Sequence, residues 1–132
     1  MEKIFNGISV VFGIIGGCLA NWLGGWDNWL IVLVAFMILD YVTGLIKAII
    51  NKQLSSAVGL KGIFKKICVL IAVGVAVLLQ SLIDLPLREI VITFFVCNEG
   101  ISLLENLAEF IPIPAKLKEV LLQLRDKADV QA

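Results

Sequence analysis

The sequence predicts an all-α integral membrane protein with about four transmembrane helices, a C-terminal amphipathic helix and both termini in the cytoplasm. The first reason is composition: 60% of the 132 residues are apolar and only 17% are charged. Soluble chains are about 45–50% apolar and about 25% charged. A soluble chain of this size leaves about 30% of its unfolded surface exposed, so the excess apolar side chains require a bilayer.

The second reason is that four apolar runs are each long enough to span a bilayer, which takes about 20 residues. The predicted spans are residues 4–23, 29–50, 63–83 and 87–111. They form a transmembrane domain over residues 1–113, and residues 114–132 form the cytoplasmic amphipathic helix and tail. In the loop between the second and third spans, the two serines at 55 and 56 are interpreted as a helix cap.

The third reason is the distribution of basic residues. All of the 11 basic residues except Arg88 fall on one side of a four-span arrangement, and an excess of lysine and arginine marks the cytoplasmic side. Tryptophan, lysine and arginine at the span ends are expected at the membrane interface. These residues are Trp22, Trp26, Trp29, Lys65, Lys66, Lys116, Lys118 and Arg125.

Span one carries small residues within an arc of about 100°. This predicted helix-packing face consists of Gly13, Gly16, Gly17, Ala20 and Gly24. Small side chains let a second helix backbone approach closely. The face fits either a neighbouring span of the same chain or another subunit.

Span two places Asp40 and Thr43 on one face. A carboxylate in the middle of a span costs roughly 3 kcal/mol and usually faces a bundle interior or water. We therefore expect Asp40 to have a cationic partner, either Lys47 two turns away or a cation from span three.

Span four carries a polar stripe about 120° wide, with apolar residues elsewhere. The stripe consists of Asn98, Glu99, Ser102, Glu105, Asn106 and Glu109. At about 2.5–3.5 kcal/mol for each central charge, this helix needs polar partners or a water-filled lumen. The stripe is therefore predicted to line a pore or an interface between helices.

The tail after Pro114 has helical periodicity, with an apolar face at Leu117, Val120, Leu121, Leu124 and Ala128. Basic residues flank this face, as expected of a helix lying in the cytoplasmic headgroup layer. The alternative is a helix that pairs with its own copies in an oligomer.

Several function classes are excluded or disfavoured. Histidine is absent and the three cysteines are far apart, so we predict no metal site, no cofactor and no catalytic centre. The equal numbers of acidic and basic residues argue against nucleic-acid binding. A proton or cation path through Asp40, Glu99 and Glu105 remains an alternative function.

Four sequence blocks together resemble the phage-lysis and toxin-secretion holin family. They are Asp40–Gly44, Ser55–Gly62 followed by two lysines, Asn98–Asn106, and Pro112–Lys118. The blocks follow the order found in that family and cover most of the chain, and the part from Asn98 to Leu117 is the most specific.

The resemblance implies a non-enzymatic protein that forms homo-oligomers in the bacterial cytoplasmic membrane. Such proteins open a lesion through which an endolysin, or in some members a large toxin, leaves the cell. The implied partners are copies of the chain, membrane lipids, that cargo and, in some systems, an antiholin. The rival functions are a small ion channel or transporter subunit, and a regulatory antiholin or scaffold that opens nothing.

Overall fold

The computed structural model describes residues 1–131, which form five α-helices and contain no strand. The helices are α1 (Glu2–Trp22), α2 (Asn28–Ile50), α3 (Ser56–Gln80), α4 (Leu87–Ala108) and α5 (Ala115–Gln131). Helices α1 to α4 are long and apolar enough to cross a membrane. The predicted all-α class with four candidate spans is confirmed.

Side-chain caps set the starts of α2 and α3. The carboxylate of Asp27 accepts a hydrogen bond from the Leu30 amide at 3.0 Å, and the Ser55 hydroxyl accepts one from the Val58 amide at 3.2 Å. Such caps satisfy amides that have no partner within the helix. Helix α3 therefore begins at Ser56 rather than near residue 63, and it ends at Gln80 rather than 83.

The core is formed by α2, α3 and α4, with α4 in contact with α2, α3 and α5. Ion pairs join the two starts and the two ends of α2 and α4, so these helices run parallel and pack directly against each other, and α3 runs antiparallel to both. Apolar side chains from these helices and from the turn before α2 form the buried centre. They are Leu23, Leu30, Leu33, Met37, Val73 and Ile92.

Helix α5 folds back along α4, a contact within the chain that the helical periodicity of the tail did not predict. Lys118 lies 3.4 Å from Glu105, and Arg125 donates to Asn98 at 3.4 Å, so the two helices are antiparallel. The face turned inward also differs from the predicted one. It includes Leu121, Leu122, Arg125 and Ala128, whereas the exposed side includes Leu117, Val120 and Leu124.

Helix α1 stands apart from the bundle. The whole of Glu2–Trp22 is described and none of its residues is buried. No atom of the described chain lies within 4 Å of where a Cβ would stand at Gly13, Gly16 or Gly17. The C-terminal end of α1 contacts the bundle through the Trp22 ring, which packs against Gly74 of α3. Gly13, Gly16 and Gly17 therefore have no partner among the described residues of the same chain.

Gly24 does not belong to that face, although the sequence placed it there. It follows the end of α1, and its φ of +90° lies in the left-handed region that glycine tolerates. A Cβ at this position would lie 2.5 Å from Nε of Arg88. Gly24 is required by the turn and by the close approach of this arginine.

Arg88 is 3% exposed and fastens the turn between α1 and α2 to the start of α4. Its Nε donates to the Leu23 carbonyl oxygen at 2.6 Å, and its Nη2 donates to that of Gly25 at 2.9 Å. Its Nη1 lies 2.7 Å from the carboxylate of Asp27. These guanidinium hydrogen bonds hold the pKa of the Asp27 carboxyl below its ordinary value.

The backbone amide of Arg88 also donates to the Gln80 side chain at 3.0 Å, which attaches the end of α3. In the sequence, Arg88 stands out only as the exception to the basic-residue distribution. This isolation could have indicated its structural role, because a lone arginine in turns that have no other basic residue is expected to make specific local contacts.

We expect Arg88→Ala to destabilise the protein by about 1–3 kcal/mol, because buried carbonyl oxygens would lose their donors. Arg88→Lys should recover only part of this loss, since an ammonium lacks the planar fork that reaches several acceptors. Thermal unfolding in detergent measures both effects. Lys3→Ala, a change at an exposed basic residue, serves as control, and equal unfolding temperatures for all three variants would contradict this role.

Candidate functional site

A cluster of charged side chains joins α2, α3 and α4 inside the bundle. The Lys66 Nζ lies 2.5 Å from Oδ2 of Asp40 and also forms an ion pair with the Glu99 carboxylate. The side chains of Lys66, Asp40 and Glu99 are only 17%, 12% and 13% exposed. One ammonium group is thus shared by two carboxylates, each from a different helix.

An asparagine completes this cluster from α4. The Asn106 Nδ2 lies 3.1 Å from both Oδ1 of Asp40 and Oγ1 of Thr43, and 3.2 Å from the Asp40 carbonyl oxygen. The Thr43 hydroxyl donates to the Leu39 carbonyl at 2.7 Å, leaving its oxygen free to accept from Asn106. Asp40 and Thr43 are one turn apart on α2, and Glu99 and Asn106 are two turns apart on α4, so both pairs face the same interface.

Tyr41 positions the first half of α3 beside α2. Its hydroxyl donates to the Gly59 carbonyl at 3.2 Å. A Cβ at Gly62 would lie 3.0 Å from the Tyr41 ring, so glycine at this position allows the close approach. These contacts bring Lys66, which lies two turns after Gly59 on α3, to the level of Asp40.

The rest of the polar stripe of α4 is also paired. Glu109 lies 3.1 Å from Lys47 and accepts from Asn51 at 3.5 Å, while Glu105 and Asn98 contact Lys118 and Arg125 of α5. Ser102 is half-buried and lines a groove beside the cluster. In this protomer the stripe is therefore an interface between helices.

The partner of Asp40 is the cation from span three, which was one of the two expected alternatives, whereas Lys47 binds Glu109. The structure gives Lys66 a partner inside the bundle, although the sequence placed it at the membrane interface. Lys118 and Arg125 likewise contact α4. The remaining predicted interface residues include exposed ones at Trp26, Trp29, Lys65 and Lys116.

The arrangement of these charged side chains fits a structural role better than a catalytic one. Among the described residues, no group of three or more histidine, cysteine or acidic side chains is arranged to hold a metal ion. Within a bilayer an isolated charge is expensive, so such groups pair with one another or face water. The cluster keeps three charges out of lipid and fixes α2, α3 and α4 relative to one another.

The family model described as the bacteriophage holin family matches residues 17–126. The chain belongs to the bacteriophage holin family. A relative named as a probable holin, from Bacillus phage phi105, is 33% identical over 101 residues, which cover 74% of this chain and 75% of the relative. The resemblance of the four sequence blocks is confirmed. No solved structure gives a significant match.

Bacterial chains are also similar to this holin-family protein. An uncharacterized 14.9 kDa protein in the nagH 3' region of Clostridium perfringens is 46% identical over 133 residues, covering 96% of this chain and 99% of the relative. An uncharacterized Listeria monocytogenes protein is 41% identical over 125 residues, covering 89% of this chain and 84% of the relative. Family and fold together describe a multi-pass membrane protein with a holin role.

We expect Lys66→Met to destabilise this holin-family protein by about 3–5 kcal/mol, because it leaves two buried carboxylates without a cation. Lys65→Met is the matched control: this neighbour is exposed, and such surface changes usually cost less than about 0.5 kcal/mol. Unfolding in detergent provides the measurement.

The charge-free variant Asp40→Asn/Lys66→Met/Glu99→Gln should recover most of the stability lost by Lys66→Met alone, since no unpaired charge remains buried. If the single Lys66 variant were as stable as the Lys65 control, the cluster would not hold the helices together.

Proposed function

We propose that this protein accumulates in the bacterial cytoplasmic membrane with both termini inside. There it assembles with its own copies and opens a lesion through which an endolysin or a large toxin leaves the cell. Holin-family membership supports the role, and the positions of α5 and α1 support the mechanism.

The observation that carries the proposal is the depth reached by α5. Arg125 of α5 contacts Asn98, which is near the middle of the 22-residue span α4. The opposite side of α5 carries exposed polar residues at Lys116, Glu119, Gln123 and Lys127. Charged side chains at span depth are costly in lipid, so we expect this side of α5 to face water or another protomer.

Copies that arrange their α5 helices around a common axis satisfy this requirement, because the charged sides then line an aqueous opening. The α4 stripe lies directly behind α5. The ion pair between Lys118 and Glu105 is exposed, and pairs of this kind contribute only about 0–1 kcal/mol. Displacement of α5 would therefore expose Asn98 and Glu105 to the water in the opening at little electrostatic cost.

Helix α1 is the proposed contact between copies. Gly13 and Gly17 lie one turn apart on a face that meets nothing in the described chain. Helices in lipid associate through close packing at small residues. Because it contacts the bundle at its C-terminal end, α1 is free to pack against a neighbouring protomer.

The proposal predicts that Glu119→Leu/Lys127→Leu slows release of a folded reporter protein from vesicles by at least about tenfold. The leucines make the outer side of α5 compatible with lipid and remove the cost of charges there, so the closed arrangement is favoured. Net charge is unchanged by this pair of substitutions.

The matched control is Glu2→Leu/Lys3→Leu, which removes one acid and one base at the exposed start of α1. Both variants should insert into membranes as well as the wild type does. Release by the α5 variant at the wild-type rate would remove α5 from the lesion lining.

A small ion channel is the second candidate function, favoured by the charged cluster of Asp40, Lys66 and Glu99 at span depth. The same vesicles separate the two functions, since an ion path leaks protons or salt while it retains the folded reporter. A regulatory antiholin differs from both, because its expression alone leaves the bacterial membrane potential and growth intact.

A second prediction concerns α1: Gly13→Leu should shift the protein towards smaller assemblies by blocking close helix approach. Gly7→Leu is the matched control, since it makes the same change about 120° away on the helix, also at a position with no neighbour within 4 Å. Cross-linking in membranes measures assembly size. Identical cross-linking patterns for the two variants would exclude this face of α1 from the contact.

A further inference from the structure

A groove of about 920 Å³ opens between α2, α3 and α4 at the end of the bundle where α3 begins. Its lining combines charged, polar and apolar side chains. The cluster of Asp40, Lys66 and Glu99 occupies one part of it. The other two lysines of the lining, Lys61 and Lys65, take no part in that cluster.

Lys61 and Lys65 lie one turn apart on α3 and are both exposed. Within the described part of the chain, neither lies within 4.0 Å of a carboxylate, whereas Lys47, Lys66 and Lys118 all do. Three lysines and two carboxylates line the groove. Since both carboxylates contact Lys66, the two remaining ammonium groups are available to an anion.

The groove continues from these lysines along an apolar wall. Phe64 and Cys68 follow Lys61 along α3, and Phe95 contributes from α4. From Lys61 to Cys68 the helix rises about 10 Å. The long side chains of Lys61 and Lys65 can extend towards the headgroup layer, while the apolar wall lies deeper along the helix. Two such cations beside an apolar wall match the two parts of an anionic phospholipid.

We propose that this groove binds one anionic phospholipid, with its phosphate between Lys61 and Lys65 and an acyl chain along Phe64, Cys68 and Phe95. The site would attach the chain to a particular class of lipid, and it requires only membrane insertion, not the opening of a lesion. Lipid binding and release of cargo are therefore measured separately.

Native mass spectrometry of the full chain, purified in detergent and mixed with equal amounts of phosphatidylglycerol and phosphatidylcholine, tests the proposal. The wild type should retain phosphatidylglycerol about tenfold more than phosphatidylcholine. Lys61→Gln/Lys65→Gln should lose this preference, and Lys61→Arg/Lys65→Arg should keep it. The matched control, Lys3→Gln/Lys52→Gln, removes the same charge outside the groove and should behave as the wild type.

Two further arms distinguish a lipid from a free phosphate. Inorganic phosphate in large excess should leave phosphatidylglycerol bound, and glycerophosphoglycerol, which has the headgroup without acyl chains, should not compete. Competition by either compound would make this a phosphate site and overturn the lipid proposal. Retention of phosphatidylglycerol by the glutamine variant at the wild-type level would overturn it equally.

Discussion

The pairing of polar groups inside an apolar solvent is the constraint on which the rest of this structure depends. A bilayer provides no water to solvate a buried carboxylate, so a carboxylate carried into a span is stabilised by a cation from another helix or by a water-filled cavity. Lys66 supplies that partner to both Asp40 and Glu99. Because the three residues come from α2, α3 and α4, satisfying their charges also decides how these helices pack.

Arg88 applies the same rule at the end of the bundle where α4 begins. Its guanidinium satisfies two backbone carbonyl oxygens and the Asp27 carboxylate together, and it fixes the turn from which α1 extends. The bundle is thus joined by one cation midway along its helices and by another where α4 begins, while α1 contacts it at its C-terminal end. This distribution leaves α1 available for contacts that a rigidly packed helix could not make.

The same constraint on charged groups applies to α5, and there it bears on how copies of the chain assemble. One of its sides pairs with the stripe of α4, and its other side is exposed and carries charged residues. Such charges conflict with lipid if α5 lies within the bilayer. Association around water and withdrawal of α5 from the membrane both remove the conflict, and a lesion-forming protein benefits when two such arrangements are close in free energy.

The sequence by itself determined the helical class, the four spans and the existence of a polar stripe, because hydropathy and the helical period act locally along the chain. It also predicted a cationic partner for Asp40, because an unpaired carboxylate in the middle of a span is costly. Only the tertiary structure decided that the cation is Lys66, that Arg88 holds the α1–α2 turn and that α5 folds against α4. Each of these contacts joins residues that are distant in sequence, and the local periodicity of apolar residues does not indicate which helices become neighbours.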